Sequence, residues 1–179
     1  MSKTILDVKQ LSKHYQQNHG VFSAFNRRSG TIAAVDNVSF YLRENETMGL
    51  VGESGCGKTT VGRTILRLTR PTSGNIIFDG RDITRLTGSE LRPLRKDMQL
   101  IFQDLDAGLN PKMRVNDILH EAICVHERLS DAEVKIKTTL LLDQVNLKSS
   151  KLSSYPAELS GGEKRRVGIA RVLAVGAKL

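Results

Sequence analysis

The chain is poor in aromatic residues and in cysteine and has no long apolar run, and each shortage closes off a class of function. Aromatics make up 4% of its 179 residues and tryptophan is absent. That leaves few platforms on which the bases of a single strand could stack, so a nucleic-acid channel is not expected. The two cysteines, Cys56 and Cys124, have neither framework nor metal-like spacing, and both read as free thiols in a reducing compartment. No apolar run approaches the roughly 20 residues that cross a bilayer, and Met1-Ser2-Lys3-Thr4 leads into alternation, not a signal peptide. The expectation is a cytoplasmic chain that meets a membrane only through a partner. Internal repeats and low-complexity tracts are also missing. With 39% hydrophobic residues and a mean hydropathy of -0.26, the length suffices for one buried core, alone or with a small subdomain.

Positive charge is plentiful. The formal net charge is +8 and the isoelectric point is near 9.7, a balance compatible with nucleic acid, anionic lipid or nucleotide phosphates. Basic residues gather in Arg81, Arg85, Arg92, Arg95 and Lys96, and again in Lys164, Arg165, Arg166 and Arg171, each cluster interleaved with apolar residues. They read as solvated faces or as surfaces near headgroups.

The most specific local pattern is Gly52-Glu53-Ser54-Gly55-Cys56-Gly57-Lys58-Thr59-Thr60. Thr47 to Val51 precedes it as a short apolar strand candidate, and Val61, Ile65 and Leu68 follow at the spacing of one helix face. A glycine-rich turn between strand and helix can aim successive backbone N–H groups at an anion, with Gly52, Gly55 and Gly57 expected to supply positive φ. Lys58 would reach the β- and γ-phosphates of a nucleoside triphosphate, and the Thr59 hydroxyl would ligate Mg²⁺, a hard cation that prefers oxygen.

Around this loop, Ile5 to Tyr15 and Ala34 to Leu42 alternate as strands, joined by a polar, glycine-punctuated insertion from Gln16 to Gly30. Pro71 to Gly74 turns the chain into a strand at Asn75 to Phe78, and Asp79-Gly80 signals a hairpin. Leu86 to Lys96 holds a short helix or turn limited by Pro93, and Met98 to Phe102 reads as a buried strand ending at Gln103-Asp104. Val115, Ile118, Leu119, Ala122, Ile123 and His126 recur at helical spacing, with His126 read as a face residue because no second ligand is spaced with it. Ser130 to Glu133 is a capping box opening a helix with Val134, Thr138, Leu141 and Val145, for which Asn146 is the expected cap. After a turn at Tyr155-Pro156-Ala157-Glu158 comes Leu159-Ser160-Gly161-Gly162-Glu163, a second capping box at a glycine-rich helix start.

Taken together, Tyr15, the loop from Gly52 to Thr59, Gln103 and the stretch Leu159 to Glu163 resemble the ATP-binding cassette (ABC) ATPases. More narrowly, Gly108-Leu109-Asn110-Pro111-Lys112-Met113 and Tyr155-Pro156 are similar to the ATPase subunits of oligopeptide, dipeptide and nickel importers. The resemblance implies an α/β P-loop NTPase cassette, a RecA-like core with an antiparallel β-subdomain plus a helical subdomain. Residues 1–114 would form the ATP-binding core with the β-subdomain and the Gln103 loop, 115–174 the helical subdomain with the Ser160 signature, and 175–179 the start of the remainder of the core. ATP and Mg²⁺ are the implied cofactors. Tyr15 would stack on adenine, Gly52, Glu53, Ser54, Gly55, Cys56, Gly57, Lys58, Thr59 and Thr60 would hold the triphosphate, and Gln103 would contact Mg²⁺ and the attacking water. Lys58 and Gln103 would carry catalysis, and Thr59 and Gln103 the metal. Ser160, Gly161 and Gly162 would bind the γ-phosphate held by a second ABC subunit, identical or not, in a head-to-tail dimer. Transmembrane permease subunits would place the pair on the inner face of the cell membrane, and the coupled work would be uptake of peptides or nickel.

Two departures from the family pattern matter. Glu163 stands where glutamine is most frequent, which keeps the cap and adds a negative charge near a phosphate. The sequence ends at Leu179, where the family continues into a strand ending Asp-Glu and then a switch histidine, so as given it reads as truncated before that strand, binding ATP and hydrolysing it poorly. Two other readings compete with an importer subunit. A nucleotide-holding fragment without turnover would be told apart by an ATPase assay, and a soluble ABC protein of DNA repair or translation by salt-dependent nucleic-acid binding. Nucleotide kinases share the phosphate loop but give no reason for Leu159 to Glu163.

Overall fold

The computed structural model describes residues 2–16, 30–101, 108–125 and 128–179. They fall into two compact units, Met1–Pro93 and Leu94–Leu179. Of the expected features, most of the insertion (17–29), Phe102 to Asp104 with Gln103, and His126 lie outside the described residues.

The first unit is an antiparallel sheet of four strands in the order β2-β1-β3-β4. β1 (Thr4–Gln16) and β2 (Thr31–Arg43) are the two alternating stretches, and β1 pairs on its other side with β3 (Ser73–Phe78). Register shifts interrupt the β1–β2 ladder, and there Gln10 and Asn37 take positive φ while their N–H groups donate to Ser39 Oγ at 2.8 Å and Ser12 Oγ at 3.0 Å. Such bulges leave ladder groups unpaired, and the serine hydroxyls replace the lost partners. Asp79 and Gly80, both at positive φ, turn β3 into β4 (Arg81–Asp82), as a tight hairpin requires. Ile5, Leu6, Val8, Leu11, Ile76, Phe78 and Ile83 are buried apolar residues of this unit, together with Val61 and Ile65 from α1 (Lys58–Ile65). The helix stops sooner than the apolar spacing suggests. Arg67 adopts φ 54 and turns its buried guanidinium onto the carbonyls of Ile83 (2.9 Å) and Leu86 (3.0 Å), which leaves Leu68 half-exposed. A short α2 (Gly88–Leu91), opened by the capping box Thr87–Glu90, closes the unit.

Thr47 to Val51 does not form the expected strand: it is irregular and exposed, with Val51 at 96%. A strand exists through its ladder, and none of the four strands of the sheet lies beside this segment.

The second unit is helical. α3 (Val115–Cys124), α4 (Asp131–Gln144) and α5 (Gly161–Val175) bury one another's apolar stripes, with Val115, Leu119, Ile123, Val134, Leu141, Val167 and Ala170 at the centre. Ser130 and Glu133 form the expected capping box, and Asn146 sits at positive φ just past the end of α4. Leu94 to Ile101 holds no assigned strand, which corrects the reading of Met98 to Phe102 over its described part. A single rung is present: Leu179 N–H donates to Asp97 O at 3.0 Å and Gln99 N–H donates to Leu179 O at 2.8 Å, the pattern of a parallel pair around Met98. One rung is too short for a ladder, so Met98 is buried while Ile101 remains exposed.

Candidate functional site

The phosphate-loop candidate follows the exposed Thr47–Val51 segment and ends at the N-terminus of α1, where Gly57 is the cap residue with φ 96 and ψ 1. A side chain at Gly57 would meet the carbonyl oxygen of Ala34 in β2 at 2.1 Å, so the backbone of the loop lies directly on the sheet and only glycine fits. Gly55 also takes positive φ, at 84. Gly52 does not, contrary to the reading of all three glycines as left-handed; what crowds it is Cys56 Sγ, 2.6 Å from where a Cβ would stand.

Lys58, the first residue of α1, folds back into the loop. Its Nζ donates to Gly52 O at 2.7 Å and Glu53 O at 2.6 Å and lies 3.5 Å from Cys56 Sγ. Carbonyl oxygens orient an ammonium without neutralising it, and no carboxylate among the described residues pairs with Lys58. The positive charge therefore stands at a helix N-terminus that already favours anions. Ser54 and Thr59 are exposed beside it, and Thr60 is half-buried with its carbonyl accepting from the Thr64 hydroxyl at 2.7 Å. Thr59 Oγ1 is a hard oxygen donor of the kind Mg²⁺ prefers.

Tyr15 lies near the end of β1, opposite Ile32, 42% exposed as a residue and with the Lys13 ammonium 4.8 Å from the ring centre. This leaves an aromatic face open in the same unit as the loop.

In the second unit Ser160 is the cap of α5. Its hydroxyl accepts from Glu163 N–H at 3.3 Å, while Glu163 Oε2 accepts from Ser160 N–H at 2.9 Å and from the hydroxyl at 3.0 Å. Gly161 and Gly162 are exposed, and a Cβ on either would meet nothing within 4 Å. Sequence reasoning missed Lys151, whose Nζ lies 3.0 Å from Glu163 Oε1. The Ser160 backbone N–H, Lys151 and the Ser160 hydroxyl, in that order, hold the Glu163 carboxyl at about 2, well below the ordinary glutamate value. The basic cluster on α5 is not wholly a solvated face either: Arg166 donates to Asn146 O at 2.6 Å and Arg171 to Gly108 O at 2.7 Å. Both tie loops to the helix, and the contacts are too distant in sequence for local patterning to show.

Comparison with known proteins converges on one family. The ABC transporter family model matches residues 35–179. The chain is 43% identical over 178 residues to the oligopeptide transport ATP-binding protein AppF of Bacillus subtilis, covering 99% of this chain and 53% of that protein. It is 43% identical over 174 residues to the oligopeptide transport ATP-binding protein OppF of Streptococcus mutans, covering 97% and 54%. The chain thus spans about half the length of the relatives it matches. Among solved structures, the dimeric post-hydrolysis state of the ATP-binding cassette MJ0796 bound to ADP and Pi superposes with a TM-score of 0.82 at 26% identity, covering 97% of this chain and 71% of that one. The fold is that of an ABC ATPase cassette, with its antiparallel sheet and helices in place, and the chain belongs to the ABC transporter family.

Proposed function

We propose that this chain is the ATP-binding part of an importer for peptides, taking ATP with Mg²⁺ in the loop from Gly52 to Thr60. The observation that carries this reading is Lys58, whose ammonium is steered by two loop carbonyls and left without a carboxylate partner among the described residues, at the N-terminus of α1. The peptide assignment rests on the names of relatives such as AppF and OppF.

In this reading the loop amides and Lys58 bind and orient the triphosphate, Tyr15 stacks on adenine, and Thr59 holds the metal with Gln103. Mg²⁺, when bound, supplies positive charge across the phosphate oxygens. Ser160, Gly161 and Gly162 take the terminal phosphate held by a second cassette, in keeping with the dimeric MJ0796 cassette. Permease subunits keep the pair at the inner face of the membrane; no helix of the described residues is long and apolar enough to cross it.

Isothermal titration with ATP and Mg²⁺ tests the loop. Lys58→Ala should abolish detectable binding, and an unchanged dissociation constant would overturn the assignment. Phosphate release measured on the same samples separates a hydrolysing subunit from one that only holds nucleotide.

A further inference from the structure

The start of α5 carries a charge conflict that the fold resolves. A helix N-terminus offers roughly half a positive charge to an anion. Glu163 brings a full negative charge into the first turn and holds it there, because Oε2 accepts from both the N–H and the hydroxyl of Ser160. Alone, this carboxylate would reverse the field at Gly161 and Gly162 and repel a phosphate. The other oxygen, Oε1, meets Lys151 Nζ at 3.0 Å. Lys151 comes from the turn Ser149–Ser153, twelve positions earlier, and is about one-third exposed, with Glu163 one-quarter exposed. The sum of the helix end, the carboxylate and the ammonium returns to net positive, roughly the value for the helix end alone. Gly161 and Gly162 remain open in front of it.

We propose that Lys151 is a positioning residue for the phosphate site at the start of α5: it neutralises Glu163, so that the Gly161 and Gly162 amides still attract the terminal phosphate of a nucleotide held by a second copy. The inference rests on the reading of Ser160 to Gly162 as a site for the partner's nucleotide. It makes Lys151 and Glu163 a coupled pair. Each is tolerable with the other, and loss of the lysine alone leaves an uncompensated charge facing the phosphate.

The test is a cycle of variants of the whole chain, with ATP- and Mg²⁺-dependent self-association followed by sedimentation at fixed ionic strength. Lys151→Met should weaken association roughly three- to tenfold, as expected for one unbalanced, partly exposed charge, and Lys151→Arg should retain it. Glu163→Gln added to Lys151→Met should bring association back to within about twofold of the parent, because the double variant again presents only the positive helix end. A double variant that associates as weakly as Lys151→Met would show that Lys151 acts only on the stability of its turn and would overturn the proposal, as would no loss in Lys151→Met itself. Gly162→Asp isolates the underlying reading. If the parent does not associate with ATP, or Gly162→Asp associates as tightly as the parent, the start of α5 does not face a partner's nucleotide and the role of Lys151 falls with it. If Gly162→Asp abolishes association and Lys151→Met is silent, only the role of Lys151 is overturned.

Discussion

Gly57 shows how one residue ties the candidate site to the sheet. Its left-handed backbone and the Ala34 carbonyl 2.1 Å from a would-be Cβ leave no room for any side chain. Gly57→Ala combines the strain of a left-handed residue, about 1–2 kcal/mol, with a backbone clash that has no flexible group to give way. Chemical denaturation should therefore show a loss of at least about 1 kcal/mol, together with weaker ATP binding. A variant as stable as the parent would mean that the loop does not rest on β2. The need for glycine here was legible in the sequence as part of the Gly-x-Gly-Lys spacing. The reason was only half legible: Gly55 and Gly57 take positive φ, whereas at Gly52 the constraint is the neighbouring Cys56 sulfur. Arg67 and Lys151 escaped notice because their partners lie sixteen, nineteen and twelve positions away, beyond any local pattern.

At the scale of elements, α2, α4 and α5 open with reciprocal capping boxes, at Thr87–Glu90, Ser130–Glu133 and Ser160–Glu163. Hydrogen bonds from the cap residue hold each glutamate carboxyl below its ordinary range, from the Thr87 N–H for Glu90, from the Ser130 hydroxyl for Glu133 and from the Ser160 N–H for Glu163. A carboxyl whose folded value is depressed binds its proton more readily when unfolded, so its contribution is present above the unfolded value and is lost as pH falls toward the folded one. For Glu163 that window runs from 4.5 down to about 2. Helicity followed by circular dichroism should fall across this range, and Glu163→Gln should remove its share of the pH dependence. An identical acid profile for parent and Glu163→Gln would contradict the capping geometry. Ser130→Ala should cost about 1 kcal/mol by the same logic. Caps and the Asp79-Gly80 hairpin were readable because they are complete within four residues. The strand candidates at Thr47–Val51 and Met98–Phe102 were not, because apolar composition says nothing about whether a neighbouring strand is there to supply the ladder.

For the whole molecule, the core is divided between the two units. Ile76 is fully buried in the sheet and Leu119 in the helical cluster, and truncation of either to alanine should cost about 2–5 kcal/mol. Hydrogen exchange should report the two changes in different places, Ile76→Ala accelerating β1 and β3, and Leu119→Ala accelerating α3, α4 and α5. Acceleration spread evenly over both units in both variants would show one cooperative core instead. The alternation of Ile5 to Leu11 and the helical repeat of Val115 to Ile123 made both cores legible from the sequence. The rung at Met98 was not.

That rung joins Asp97 and Gln99, just inside the point where the second unit begins, to Lys178 and Leu179 past the end of α5. The stretch between the two sides of that rung is a loop drawn shut, topologically a pendant. Such a piece can be grafted onto a host, or re-cut with new ends, by exchanging one narrow neck of chain, which makes the helical unit a ready subject for circular permutation.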